Sequence, residues 1–504
     1  MDPGAPPARR LPPLELIVFV VGSSTLGAEI AAARLMAPFF GASTVVWANT
    51  IAVVLVALAV GYWFGGRMAD RRPDQAALSL LVLVAAALLA LVPIVSQPFL
   101  SISVSAFDDL SLGAGFGSLL GVLALVAVPV LMLGAVSPWA IRLKLHAVED
   151  SGEIAGRMYA ISTVGSLVGT FLAALLLIPL VGTQRTFLVF ALALALVAAL
   201  GLGLRWLAAP ALVAALLAIP PGAIKGSDEG RVIYETETEY QYARVVEYED
   251  GVRRLELNEG QAIHSTYRPK TVLTGNYWDA LLVDPFAALE REPERVAMLG
   301  TAAGTTARAY ARYLPATKVD AVEIDGELLD IGRRFFDLRD RPQLRTITED
   351  ARPFLRRTGE RYDVIMVDAY RQPYIPFYLT TKEFFELTRD RLAPGGVVAI
   401  NVGHPRGSER LEQVLSATLR SVFREVARDP LNPTNTILMG SDAPLSSGSL
   451  LAAARSLPED LRPLATRAAG RLRPGLDGGR VYTDDHAPVE WLVDESLVQY
   501  AAGD

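Results

Sequence analysis

VAMLGTAAGTTARAY (296–310), VDAVEID (319–325), TED (348–350) and YDVIMVDAY (362–370) succeed one another in the second half of this 504-residue chain. Each closes a predicted strand on a glycine turn or an acid and leads into a helical stretch. The pattern predicts strands at 295–299, 318–323, 344–348, 362–368 and 396–402, with helices at 304–313, 326–336, 351–357 and 380–392. Strands alternating with helices imply a doubly wound parallel sheet with right-handed crossovers. Just upstream, TETEYQYARVVEYEDGVRRLELNEGQAIHS (236–265) alternates as short antiparallel strands do, with a turn at Glu249-Asp250-Gly251. A small antiparallel β subdomain is therefore expected before the α/β core.

The first half belongs to another solvent. Hydrophobic residues make up 51% of the chain and charged ones only 20%, a balance set by the first 225 residues. Apolar segments fall at 14–39, 43–66, 76–100, 115–141, 157–181, 184–204 and 207–224. Most reach the ~20 residues a helix needs to cross a bilayer. Arg9 and Arg10 precede the first segment without a clear cleavage site, which reads as an uncleaved first helix. If helices alternate, Arg9, Arg10, Arg67, Arg71, Arg72, Arg142 and Lys144 share one face, which the positive-inside rule makes cytoplasmic. Seven full crossings would carry the second half outside, away from a cytosolic cofactor. Either the short 207–224 segment does not cross, or the count is off by one. The expectation is a multi-pass plasma-membrane protein of six to eight spans in residues 1–225, a β subdomain at 230–290 and an α/β domain at 291–504, in the cytoplasm. GSLVG (165–169) has the spacing that lets two helices approach closely, while Glu29 and Arg34 are membrane charges that either pair or mark a path.

Bulk composition narrows the function. A net charge of −7 argues against nucleic acid, and the absence of cysteine excludes disulfides, thiolate metal sites and a cysteine nucleophile. Ligands of doubly wound sheets bind beyond the carboxyl ends of the strands. Gly300 and Gly304 let the backbone pass close to a ligand there, Glu323 is placed for ribose hydroxyls, Asp350 for an adenine amino group, and Asp368 for the reacting end. Singly, each acid also reads as a cap or surface group; the ordered set of one acid per strand end points to a nucleoside cofactor. The full G-x-G-x-x-G dinucleotide fingerprint is not met.

In YQYARV (240–245), LNEGQAIHS, VEID, TEDA, VDAY and TDDHAPVE, in that order, the chain resembles the polyamine aminopropyltransferases, or spermidine synthases. GAEIAAARLMAPFFGAS and GRMYAISTVGSLVGTFLAALLLIPLVG resemble helices of their membrane-fused forms, often labelled fused transporter/spermidine synthase. The resemblance implies a Rossmann-like methyltransferase-type sheet. It implies decarboxylated S-adenosylmethionine as co-substrate, a polyamine or other amine as acceptor, and no metal. It implies that Glu323 and Asp350 hold the adenosine, that Asp368 receives the attacking amine, and that Gln261 and Tyr240 line the shared pocket. Tyr370, with Tyr374 and Tyr378, supplies aromatic surface for a polyamine; Tyr267 replaces part of a family motif, and Asp485 lies in a loop expected to close over the pocket. A homo-oligomer stays open.

The departures favour other readings. The family's Gly-Gly-Gly-Asp-Gly turn reads Gly300-Thr301-Ala302-Ala303-Gly304, and the second acid of the catalytic loop falls near Arg371. Intact S-adenosylmethionine, and another reaction such as methyl transfer, is therefore the alternative. A polyamine transporter or sensor with a nucleoside-binding domain is the third.

Overall fold

The computed structural model describes residues 11–41, 44–108, 113–219, 224–227, 229–260, 262–370 and 375–493. Two compact units divide the chain, Met1–Gly226 and Ser227–Asp504.

The first unit is helical: α1 (Leu14–Phe40), α2 (Thr44–Arg71), α3 (Gln75–Asp108), α4 (Gly113–Leu125), α5 (Ala127–Gly134), α6 (Val136–Lys144), α7 (Ser151–Leu172), α8 (Ile178–Val181), α9 (Thr183–Leu202) and α10 (Ala208–Ala218). Among the described residues, six helical stretches are long and apolar enough to cross a membrane. The seventh expected segment is not one of them. Its helix has 11 residues, which at 1.5 Å per residue reaches about half the ~30 Å hydrocarbon layer. The segment expected at 115–141 is also not one straight helix: it breaks after Leu125 and after Gly134. Pro129 and Pro138 stand four residues beyond those two positions. A proline ring excludes the carbonyl of the residue four back, so the breaks fall where the chemistry demands.

Glycine decides how α1 and α7 meet. A Cβ on Gly165 would lie 2.3 Å from the Phe19 carbonyl oxygen, and one on Gly169 would lie 1.9 Å from that of Ser23. Backbone packs directly on backbone, as the 165–169 spacing anticipates. Glu15 at the start of α1 pairs with Lys144 of α6 and, at 3.5 Å, with Arg157 of α7. Replacing Gly169 with leucine should force these helices apart and cost about 2 kcal/mol. Thermal unfolding of the detergent-solubilised protein would show it as a lowered midpoint.

The second unit opens with a four-stranded antiparallel sheet in the order β1 (Arg231–Glu237), β2 (Tyr242–Glu247), β3 (Arg253–Leu257), β4 (Ile263–Tyr267). The main sheet contains β5 (Arg295–Leu299), β6 (Lys318–Glu323), β7 (Leu344–Thr348), β8 (Tyr362–Val367), β9 (Leu392–Gly403), β10 (Glu425–Asn432), β11 (Asn435–Ser441) and β12 (Arg473–Pro474). Its helices are α11 (Tyr277–Val283), α12 (Thr305–Tyr313), α13 (Gly326–Phe335), α14 (Ala351–Arg357), α15 (Lys382–Arg391), α16 (Arg410–Arg420), α17 (Ser447–Ser456) and α18 (Arg462–Arg471). The order is β12-β10-β11-β9-β8-β5-β6-β7. Strands β5 to β9 pair in parallel, as the alternating pattern predicts. Beyond β9 the sheet is mixed rather than wholly parallel, because β10 and β11 form a hairpin closed at Pro433-Thr434. A two-residue connection can join only antiparallel neighbours.

Two features of this unit place the site. β5 is flanked by β6 on one side and β8 on the other, so the chain reverses direction across the sheet here. A crevice opens at the carboxyl ends of these strands. The small sheet lays Ala243, Val245, Leu255 and Leu257 against Leu328, Ile331 and Phe336 around α13, roofing one side of the crevice.

Candidate active site

β5 ends at Leu299, and Gly300 turns the chain at φ +88°. A Cβ there would lie 2.5 Å from the carbonyl oxygen of Asp368 and 2.7 Å from Cα of Ala369. The ends of β5 and β8 can touch only because position 300 has no side chain. The turn continues through Ala302 at φ +47° to Gly304 at φ +87°, which caps α12.

Glu323, at the end of β6, is buried and braces this turn. Its Oε2 accepts from the amides of Thr301 at 3.1 Å and Ala302 at 2.7 Å, and Oε1 accepts from the amide of Asp325 at 3.1 Å. Burial pushes its carboxyl up, and the three amide bonds oppose that push. Asp350 caps α14 by accepting from the Arg352 amide at 2.9 Å, while its other oxygen accepts from the Tyr378 hydroxyl at 2.7 Å. Tyr240 lies in the turn between β1 and β2, 38% exposed. Burial and the fields of Glu239, Asp325, Asp350 and Glu323 push its hydroxyl up. Tyr240 and the acids ending β6 and β7 thus share one neighbourhood.

Asp368 follows β8 and faces a cavity of about 470 Å³, a size suited to small-molecule ligands. Its Oδ1 accepts from Asn401 Nδ2 at 2.9 Å, and Tyr277 and Trp278 on α11 also hydrogen-bond the carboxylate. Burial is the main cause that pushes Asp368 up to about 7, with Glu323 adding to it and the three hydrogen bonds pulling it down. A carboxyl poised there changes charge across neutral pH, as a general base should. Tyr370 closes one wall, donating to the Asn401 carbonyl at 2.9 Å and accepting from the Gly403 amide at 2.6 Å.

Of the residues predicted from the sequence, Gly300, Asp368 and Tyr370 line this cavity. Glu323, Asp350 and Tyr240 do not line it: Glu323 braces the turn after Gly300, Asp350 caps α14, and Tyr240 lines another cleft with Asp325 and Glu327, while Gly304 is consumed in turning the chain. Gln261, like Arg371 and Tyr374, lies outside the described residues. Tyr267 is not brought to the cavity: its ring lies between Arg253 and Arg308, 5.5 and 4.8 Å from the centroid, and lines a separate cleft. Asp485 is exposed at the tip of the Thr483–His486 turn. Its neighbour Asp484 makes the closing contact instead. Both Asp484 oxygens accept from the Arg352 guanidinium, at 2.8 and 2.5 Å, and one also accepts from Thr381 Oγ1 at 2.7 Å. The fork of an arginine matches a carboxylate in this way, and only one of two adjacent acids can face it.

Sequence reasoning missed Tyr277, Trp278, Asn401 and Asn435. Asn401 stands near the carboxyl end of β9, so the strand-end rule that selected Glu323 and Asp368 also selects it once the fifth strand is read to its end. The helix presenting Tyr277 and Trp278 has seven residues and gave no periodicity to detect; Asn276, whose side chain accepts from the Tyr277 amide, is its one sequence signal. Ala303, where the resemblance expects an acid, is fully buried among the apolar residues under the small sheet. Among the described residues no three or more of His, Cys, Asp and Glu are grouped as a metal would require.

A family model for the spermine/spermidine synthase domain matches residues 280–437. A probable polyamine aminopropyl transferase of Bifidobacterium longum is 32% identical over 294 residues, 54% of this chain and 65% of that protein. The polyamine aminopropyltransferase of Vibrio vulnificus is 32% identical over 215 residues, 40% of this chain and 70% of that protein. The chain thus spans just under two thirds of the first of these relatives. Among solved structures, a probable spermidine synthase from Corynebacterium glutamicum superimposes with a TM-score of 0.39 at 25% identity, covering 49% of this chain and 96% of that one. The chain belongs to the spermine/spermidine synthase family, through its second unit, with the helical unit as an addition to it.

Two measurements follow from this geometry. Asp368 holds its proton more tightly folded than unfolded, so its burial makes folding less favourable as pH rises from about 4 to 7. Asp368→Asn should therefore gain in melting temperature over the wild type across that range, and a difference that does not grow with pH would contradict the assignment. Arg352 and Thr381 hold Asp484 below the usual carboxylate range. That pair stabilises above the ordinary carboxylate pKa and weakens as pH falls through the lowered value. Asp484→Ala strands the largely buried Arg352 and should cost about 2 kcal/mol, read as faster proteolysis of the segment after residue 480.

Proposed function

We propose that this protein is a membrane-integrated aminopropyltransferase, carrying an aminopropyl group from decarboxylated S-adenosylmethionine to a polyamine amine such as putrescine. The observation that carries this reading is Asp368: a carboxylate poised near neutrality at the strand crossover, in an aromatic-walled cavity, beside a turn braced by a second acid. Glu323 and Asp350 are the groups that would hold the adenosine, which requires them to exchange some present contacts for ribose and adenine. An amine nitrogen attacks the carbon beside the sulfonium. The new C–N bond forms as the C–S bond breaks, the electron pair passes to sulfur to leave a neutral thioether nucleoside, and Asp368 takes the proton shed by nitrogen. The leaving group is already good, so orientation and proton acceptance supply most of the rate. Tyr277, Trp278 and Tyr370 offer aromatic faces to a cationic chain.

Six crossings would return the chain to the side on which it began. That side carries Arg67, Arg71, Arg72, Arg142 and Lys144, so the catalytic unit is cytoplasmic in this reading and the protein resides in the plasma membrane.

One observation favours a second reading. With Ala303 packed in an apolar cluster, the turn offers no carboxylate to the amine end of an aminopropyl donor. Intact S-adenosylmethionine and methyl transfer are the consequence to test. Purified full-length protein should be given each donor separately with putrescine or spermidine, and the products weighed by mass spectrometry. Aminopropylated amine, lowered by about 10²–10⁴ in Asp368→Asn, supports the first reading. Methylated product from the intact donor replaces it with the second.

A further inference from the structure

The carboxylate of Asp368 is not the end of its hydrogen-bond chain. Asn401 Nδ2 donates to Asp368 Oδ1 at 2.9 Å, and Asn435 Nδ2 donates to Asn401 Oδ1 at 3.1 Å. The Oδ1 of Asn435 is in turn faced by Thr434 Oγ1 at 3.5 Å. The direction of this chain is set by chemistry. Rotating the Asn401 amide by half a turn would place its oxygen against the carboxylate and its NH₂ against that of Asn435, creating two repulsions where there are now two bonds. Asn401 and Asn435 sit on the paired strands β9 and β11, whose register places Asn435 against Gly403 and Asn401 against Ile437. The hairpin that makes the sheet mixed is thus what delivers Asn435 to the site.

We propose that Asn435 is a positioning residue for the reaction: it fixes the Asn401 amide so that a donor faces Asp368 and holds that carboxylate as a proton acceptor. The proposal rests on the aminopropyl-transfer reading for its catalytic meaning. The other groups around Asp368 are Tyr277 on α11, Tyr370 after β8, Glu323 on β6, and the cavity-lining His264 and His404. Of these, Tyr370 and His404 lie nearest position 435: Gly403, whose amide donates to Tyr370, pairs with Asn435, and the His404 amide donates to the Thr434 carbonyl.

Asn435→Asp is the sharp test. An ionised carboxylate there cannot donate to Asn401, so the amide turns over and presents its oxygen to Asp368, an arrangement satisfied only when Asp368 is protonated. The pH midpoint of kcat/KM for aminopropyl transfer should rise by about one unit, which at pH 7 lowers the ionised fraction about fivefold, with activity recovered at higher pH. Asn435→Gln keeps an amide and should leave the midpoint closer to the wild type. A purely structural role would lower activity evenly across pH and leave the midpoint in place. An arm without turnover keeps the proposal separate from the functional reading. Because Trp278 hydrogen-bonds Asp368, tryptophan emission of the full-length protein in detergent should show a titration step that is lost in Asp368→Asn. That step should move upward in Asn435→Asp and in Asn401→Leu, the latter covering the case in which the former does not fold. An unmoved step in a folded variant, or no Asp368-dependent step in the wild type, overturns the relay. Absence of any transferred product, with the step moved, overturns the functional reading alone.

Discussion

The contact on which the site depends is the bare approach of Gly300 to the backbone of Asp368 and Ala369. Two neighbouring parallel strands end there side by side, with no side chain between the residues that follow them. A methyl group at position 300 would have to displace the residue proposed to take the proton. The turn after Gly300 is then held by Glu323, whose carboxylate reaches across from β6 to take two amides of the turn and one of its own loop. One glycine and one buried acid therefore set the distance between the proposed cofactor and the reacting carboxylate.

Burial and hydrogen bonding pull Asp368 in opposite directions, and the balance is what suits it to its proposed task. A carboxylate sealed from water without partners would stay protonated well above neutrality; one with several strong donors would be an ordinary acid and a poor base. Here burial is offset by donors from Asn401, Tyr277 and Trp278, leaving a group that titrates at about 7. Those donors come from two places in the chain that the alternating strand pattern does not connect, a seven-residue helix and the last residues of β9, and the β10–β11 hairpin supports the second through Asn435.

The helical unit obeys a different constraint. Its helices are apolar along most of their length, so how closely they pack is set by their small residues, and Gly22, Gly165 and Gly169 let α1 and α7 meet backbone to backbone. Proline does the opposite work at residues 129 and 138, dividing one apolar segment into three helices. Both effects depend on residues visible in the chain, but a reading by hydropathy alone weighs a proline or a glycine as one more neutral residue.

The sequence by itself determined the strands from β5 to β8 almost to the residue, because each is a short apolar run bounded by charge or glycine, and with them the acids at the strand ends. It also determined that the first unit is a set of apolar helices. Tertiary structure alone decided which of the singled-out residues meet. Tyr267, close in the chain to residues that line the cavity, is taken by two arginines into another cleft, and Asp484 rather than Asp485 closes on Arg352. Periodicity reports which face of a strand or helix is apolar. Whether a polar side chain reaches a site depends on the single partner that wins it, and Asn401, Asn435 and Trp278 find theirs only when strands far apart in sequence have paired.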